Sequence, residues 1–115
     1  MELIYKIVPA ALWRKAQDRG RFDGAEIDRK DGYIHFSSAT QVEETARRHF
    51  SGQRDLLLVA VDATRLGEAL RLEGSRNGEP FPHLYGPLPF DAIASVKRLP
   101  STAQGGHDFS GLIER

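Results

Sequence analysis

Two short segments carry histidine and hydroxyl side chains at a spacing that could do chemistry. In Asp31-Gly-Tyr-Ile-His-Phe-Ser-Ser38, the residues Tyr33, His35 and Ser37 lie two apart. If the segment is extended, these three project from one face and Ile34 and Phe36 from the other. The apolar pair claims the core, leaving Tyr33, His35 and Ser37 toward a cleft or solvent. The second segment, Phe81-Pro-His-Leu-Tyr-Gly-Pro-Leu88, has the same grammar: His83 and Tyr85 project together, with Leu84 opposite. Two strands that each present a histidine and a hydroxyl could line a polar pocket. The same residues have a plainer use, with His35 and His83 each packed against a backbone carbonyl and Tyr85 closing the core. A loop rich in Gly and Pro, residues 74–82, adds Arg76 and Glu79 beside them. Arginine offers a planar donor fork for phosphate or carboxylate. Glu79 could act as a general base or anchor a ribose hydroxyl, although an ordinary solvated loop would read the same way.

Other chemistries find less support. The chain has no cysteine, which removes disulfides, thiolate zinc sites, iron–sulfur clusters and a cysteine nucleophile together. There is no HExxH and no paired ligand spacing, so no metal is expected. Ser37 and Ser38 lack a GxSxG elbow. A two-histidine phosphoesterase wants a second His-x-Ser/Thr on a strand, where this chain reads His83-Leu-Tyr85. Neither GxGxxG nor GxxxxGK[ST] occurs. The tripeptide His49-Phe50-Ser51 repeats His35-Phe36-Ser37 at an expected helix end, where His49 is a favourable charge; His107 lies near the C-terminus. Sixteen basic and sixteen acidic residues give a net charge of zero. That argues against long nucleic acid bound by bulk electrostatics, while a local basic patch stays open.

The elements that must position these residues follow from patterning. At 115 residues, with 40% apolar and 28% charged side chains, the chain suits one domain with a core of its own. No apolar run approaches the roughly 20 residues of a membrane span. The N-terminal Met-Glu-Leu-Ile-Tyr-Lys-Ile is not a signal peptide, so a cytoplasmic location is the default expectation. Strands are predicted at residues 3–7, 33–37, 69–73 and 92–99, with a short extended piece at 83–86. The run 55–62 has no alternation and reads as a central strand buried on both faces. In 92–99, Ala94 and Val96 lie opposite Ser95 and Lys97. One helix is predicted over 9–19, opening at Pro9 and stopping at Gly20. A second opens at a capping box, Thr40-Gln41-Val42-Glu43, carries the stripe Val42, Ala46 and Phe50, and stops at Gly52. Residues 21–32 read as a polar, turn-rich connection, long enough to suggest a functional loop. Residues 101–115 are polar and glycine-rich and read as a loosely held tail. Helices early and strands late favour an α+β fold.

Together, the N-terminal Ile4-Tyr-Lys-Ile7, Trp13, the 31–38 segment, Val61-Asp62, Ser75-Arg76 and the 81–88 segment resemble a bacterial family, domain of unknown function 952. The resemblance runs over residues 3–99. That family is similar in fold to the ADP-ribosyltransferase superfamily, which includes the tRNA 2′-phosphotransferases. The likeness implies a single domain over 1–100 with split β-sheets and two main helices in its N-terminal half. It also implies that NAD or an ADP-ribose-like group binds between the sheets, NAD being substrate rather than redox cofactor. In those enzymes a strand histidine in a His-x-Ser/Thr pattern holds the nicotinamide ribose, and the hydroxyl two residues on faces the nicotinamide. His35 and Ser37 match that pattern. On that likeness Ser37 and Tyr85 frame the base, Arg76 meets a phosphate, His83 or Glu79 handles protons, and Tyr33 is a further binding residue. The late glutamate of the mono-ADP-ribosyltransferases has no secure counterpart, since Glu79 precedes a strand. Two functions follow: a transferase acting on NAD, ADP-ribose or a 2′-phosphate, or a nucleotide-binding module that kept the cleft and lost the chemistry. Either takes a small nucleotide as partner and needs no membrane.

Overall fold

The six-residue apolar run after Asp55 becomes the middle strand of the larger of two sheets. The computed structural model describes residues 2–74 and 78–113. In it β3 (Leu56–Asp62) pairs antiparallel with β1 (Leu3–Pro9) on one side and β6 (Ile93–Leu99) on the other. Both faces of β3 are covered, as its unbroken apolar pattern requires. Val59 and Val61 join Ile4, Val8, Trp13 and Phe22 in one core, while Leu56, Leu58 and Ala60 join Tyr5, Ile7, Val42 and Ala46 in another.

The helices follow local chemistry with two departures. Pro9 precedes α1 (Ala10–Arg19), and Gly20, at φ 81°, closes it with an N–H to the carbonyls of Ala16 and Gln17. Residues 21–32 are not wholly a connection, because α2 (Glu26–Asp31) forms within them. The capping box at Thr40 does not form. Instead α3 (Val42–His49) starts later with Gln41 at its N-cap, and Thr40 bonds the Ser38 hydroxyl. Gln41 is recruited elsewhere: it accepts from Ser38 N–H and donates to the Pro80 carbonyl, tying the helix start to a distant strand. Val42 and Ala46 are buried as the stripe predicts, and the helix ends at His49 with Phe50 as its C-cap.

The second sheet has the order β2-β5-β4, from β2 (Ile34–His35), β5 (Pro80–Leu84) and β4 (Leu70–Gly74). Its middle strand begins at Pro80, earlier than expected. Pro82 cannot donate to a ladder, yet its carbonyl accepts from Phe36 N–H at 2.9 Å. The register stacks Ile34, Leu84 and Leu70 in one row on the core side. Beyond β2 the chain changes sheets. Ser37 exchanges two backbone hydrogen bonds of 2.8 Å with Tyr5 of β1, so residues 34–37 join the two sheets.

Two outer segments differ from expectation. In β6, Ala94 and Val96 are exposed and Ser95 and Lys97 half-buried, although Val96 lies opposite the buried Val59. β6 is an edge strand, and of its residues Leu99 is buried while Ile93 packs partly against the first core. Residues 101–113 are docked rather than loose: Phe109 is buried in the second core, with Leu112 and Ile113 against it. Among the described residues, no helix is long and apolar enough to cross a membrane.

Candidate functional site

Strand register sets the site. His35 of β2 lies directly opposite His83 of β5, and His83 opposite Arg71 of β4. With Ile34, Leu84 and Leu70 turned to the core, alternation sends these polar side chains to the other face. There the aromatic rings touch. Tyr33 stacks on His83 with centroids 4.1 Å apart, and lies 4.7 Å from the His35 ring and 5.3 Å from Tyr85. The two imidazoles meet edge to face at 5.4 Å. The Arg71 guanidinium sits 4.9 Å from the Tyr85 ring centre.

His35 is anchored from below. Its Nδ1 donates to Asp28 Oδ1 at 2.6 Å and its Nε2 lies 3.0 Å from Asp31 Oδ2, both carboxylates coming from α2. Asp28 is fully buried and also accepts from the backbone N–H groups of Ala25 and His35 and from Lys6 Nζ. Burial alone would push its carboxyl up. The His35 hydrogen bond, the Lys6 charge and the two backbone donors outweigh that and hold it at about 2. Lys6 reaches from β1 between the layers and also donates to the His35 carbonyl at 2.8 Å. Its own pKa is lowered, chiefly by burial, against the opposing pull of Asp28. Gly24, at φ 101°, passes so close that a Cβ there would stand 2.7 Å from Asp28 Cβ.

His83 is held from the side. Its Nδ1 donates to Glu73 Oε1 at 2.7 Å, and the Tyr85 hydroxyl donates to the same oxygen at 2.7 Å. These bonds, Tyr85 first and His83 second, hold the Glu73 carboxyl below its usual value. Donating that bond makes the Tyr85 phenol harder to ionise. The Tyr33 phenol is likewise raised, by burial and then by the charges of Asp31 and Glu73. His83 Nε2 has no protein partner among the described residues.

Of the residues singled out in the sequence, Tyr33, His35, His83 and Tyr85 come together. Ser37 does not join them: its buried hydroxyl bonds Thr45 of α3 at 2.8 Å, because the sheet change carries it toward the other core. Glu79 is exposed just before β5 and makes no hydrogen bond or ion pair among the described residues. Arg76 lies outside the described residues. Lys6, Asp28, Asp31, Arg71 and Glu73 escaped sequence reasoning. Lys6 had a signal, a lone cation amid Ile4, Tyr5, Ile7 and Val8, and so did Leu70-Arg-Leu-Glu73, whose alternation sends Arg71 and Glu73 to one face. Asp28 and Asp31 had none, lying in a stretch with several equivalent charges.

A cavity of about 170 Å³ is lined by Asp28, Tyr33, Ile34, Leu84 and Gly86 among others, Tyr33 being the one of the four rings that borders it. A larger one, about 240 Å³, lies away from them between α3 and the 105–109 segment. Among the described residues no group of three or more His, Asp or Glu side chains could hold a metal ion.

The fold and site define a small α+β domain: two antiparallel sheets of three strands, one of which displays paired histidines backed by carboxylates. The chain belongs to the family described as protein of unknown function DUF952, whose model matches residues 7–96. It is similar to the protein CC0527 of Caulobacter crescentus. The crystal structure of that protein is 44% identical in sequence, covers 94% of this chain and 95% of its own, and superposes with a TM-score of 0.90. Its solution NMR structure, at the same identity, covers 96% and 95% with a TM-score of 0.85. No curated protein matches.

Proposed function

We propose that the face bearing Tyr33, His35, His83 and Tyr85 is the nucleotide site of an ADP-ribosyltransferase-like enzyme, taking NAD or an ADP-ribose or 2′-phosphate group as substrate. The carrying observation is the unbroken contact of four rings on one sheet face, with His35 locked to Asp28 beneath it. Aromatic faces bind bases by stacking, at about 1–3 kcal/mol each. In this reading a ribose hydroxyl takes the place of the half-exposed Asp31 at His35 Nε2, while Asp28 keeps the ring in position. Tyr33 and Tyr85 frame the base, a role that Ser37 is too deeply engaged to share. Arg71 and Arg76 offer donors to phosphate. His83 handles the proton, and Glu79, exposed just before β5, orients an acceptor.

A second reading has its own support. The cavity that Tyr33 borders is about 170 Å³, against roughly 300–1,000 Å³ for typical ligand pockets. A shallow face of this kind suits a module that binds a nucleotide without turning it over.

One pair of measurements separates them. Purified protein is incubated with NAD for long times with varied acceptors, and labelled protein is titrated with NAD and then ADP-ribose by two-dimensional NMR, each with His35→Ala as control. The enzyme gives product and saturable shifts around residues 33–35 and 83–85, both lost in the variant. The module gives the shifts alone. Neither product nor shifts at millimolar ligand would overturn both readings.

A further inference from the structure

The two histidines differ in what their partners leave open. His35 faces a carboxylate at each ring nitrogen, Asp28 at Nδ1 and Asp31 at Nε2. His83 faces one, Glu73 at Nδ1, and its Nε2 is uncommitted among the described residues. The groups around His83 come from every strand of its sheet: Glu73 and Arg71 from β4, Tyr33 and His35 from the β2 side, and Tyr85 just beyond β5.

We propose that Glu73 is a positioning residue for His83, fixing it as the Nδ1–H tautomer and presenting the Nε2 lone pair as the site's acceptor for a hydroxyl proton of the ligand. A carboxylate accepts only, so a ring nitrogen 2.7 Å from it carries the hydrogen. In a neutral imidazole the other nitrogen is then the acceptor. The Tyr85 hydroxyl donates to the same Glu73 oxygen and restricts where that oxygen can sit. Tyr33, stacked at 4.1 Å, holds the plane of the His83 ring. When Nε2 takes a proton from a bound hydroxyl, the imidazolium formed is balanced by Glu73 through Nδ1–H. That a ligand supplies the hydroxyl rests on the proposed nucleotide reading, whereas the tautomer does not.

Long-range nitrogen–proton NMR on labelled histidines tests it, at about pH 8, above the ordinary histidine range near 6.5. Wild-type His83 is expected as the Nδ1–H tautomer, with Nε2 resonating as an unprotonated nitrogen. Glu73→Ala shifts the population toward Nε2–H, the form free imidazole side chains favour. Glu73→Gln, whose carbonyl still accepts from Nδ1, keeps the wild-type pattern, as does Glu79→Gln. A wild-type ring protonated on Nε2, or a pattern unchanged in Glu73→Ala, would overturn the assignment. Adding ADP-ribose to the wild type then moves the Nε2 signal. The expected tautomer without that movement would defeat the nucleotide reading while leaving the role of Glu73 in place.

Discussion

Asp28 does more than any other side chain to fix the site, since its two oxygens collect His35, Lys6 and two backbone N–H groups. Its folded pKa lies below its unfolded value, so the stabilisation is fully present above the unfolded pKa. It is lost as pH falls from the ordinary 3.8 through about 2. By linkage this amounts to about 2 kcal/mol. Urea midpoints measured from pH 5 down to 2 should therefore fall for the wild type, and fall less steeply for Asp28→Asn. At neutral pH the same substitution leaves Lys6 buried without its counter-charge, and chemical denaturation should show a loss of about 3–5 kcal/mol. His35 should lose its ordered ring contacts in that variant even where the fold survives.

Among the elements, α2 owes its position to Gly24. Two glycines with positive φ make a controlled pair: Gly20 has open space where a Cβ would go, while Gly24 would drive one into Asp28. Gly20→Ala should cost about 1 kcal/mol from backbone strain alone. Gly24→Ala should cost clearly more in the same denaturation experiment and should disturb the His35 signals, which Gly20→Ala leaves unmoved. α2 also shows where reading the sequence stops. The strands were legible because Leu56-Leu-Leu-Val-Ala-Val and Ile34-His-Phe carry their burial in their pattern. Alternation likewise foresaw Tyr33 beside His35, and His83 beside Tyr85. A six-residue helix held by one buried carboxylate has no such pattern, and its partner Lys6 sits more than twenty positions away. The capping box misled because Gln41 found a partner on Pro80, a tertiary contact that local spacing cannot reveal. Ser37 obeyed alternation only until the chain left one sheet for the other.

For the whole molecule, the C-terminal segment belongs to the folded unit. Phe109 closes the second core with Leu112 and Ile113, and the Gly52 N–H bonds the Gly105 carbonyl. Phe109→Ala should cost about 3 kcal/mol, and truncation after Pro100 should cost more, both read as lowered denaturant midpoints. Compositional polarity hid this because three apolar side chains spaced among glycines suffice to dock a segment. The topology carries a consequence for synthesis. β1 leaves the ribosome first, yet Leu3 pairs with Asp62 and Pro9 with Leu56, so no ladder can form until β3 has emerged. His35 must wait longer still, for His83. Such long-range closure makes folding slow, and the nascent chain carries Ile4, Ile7 and Val8 bare for half its length, a natural client for whatever shields apolar strands at the tunnel mouth.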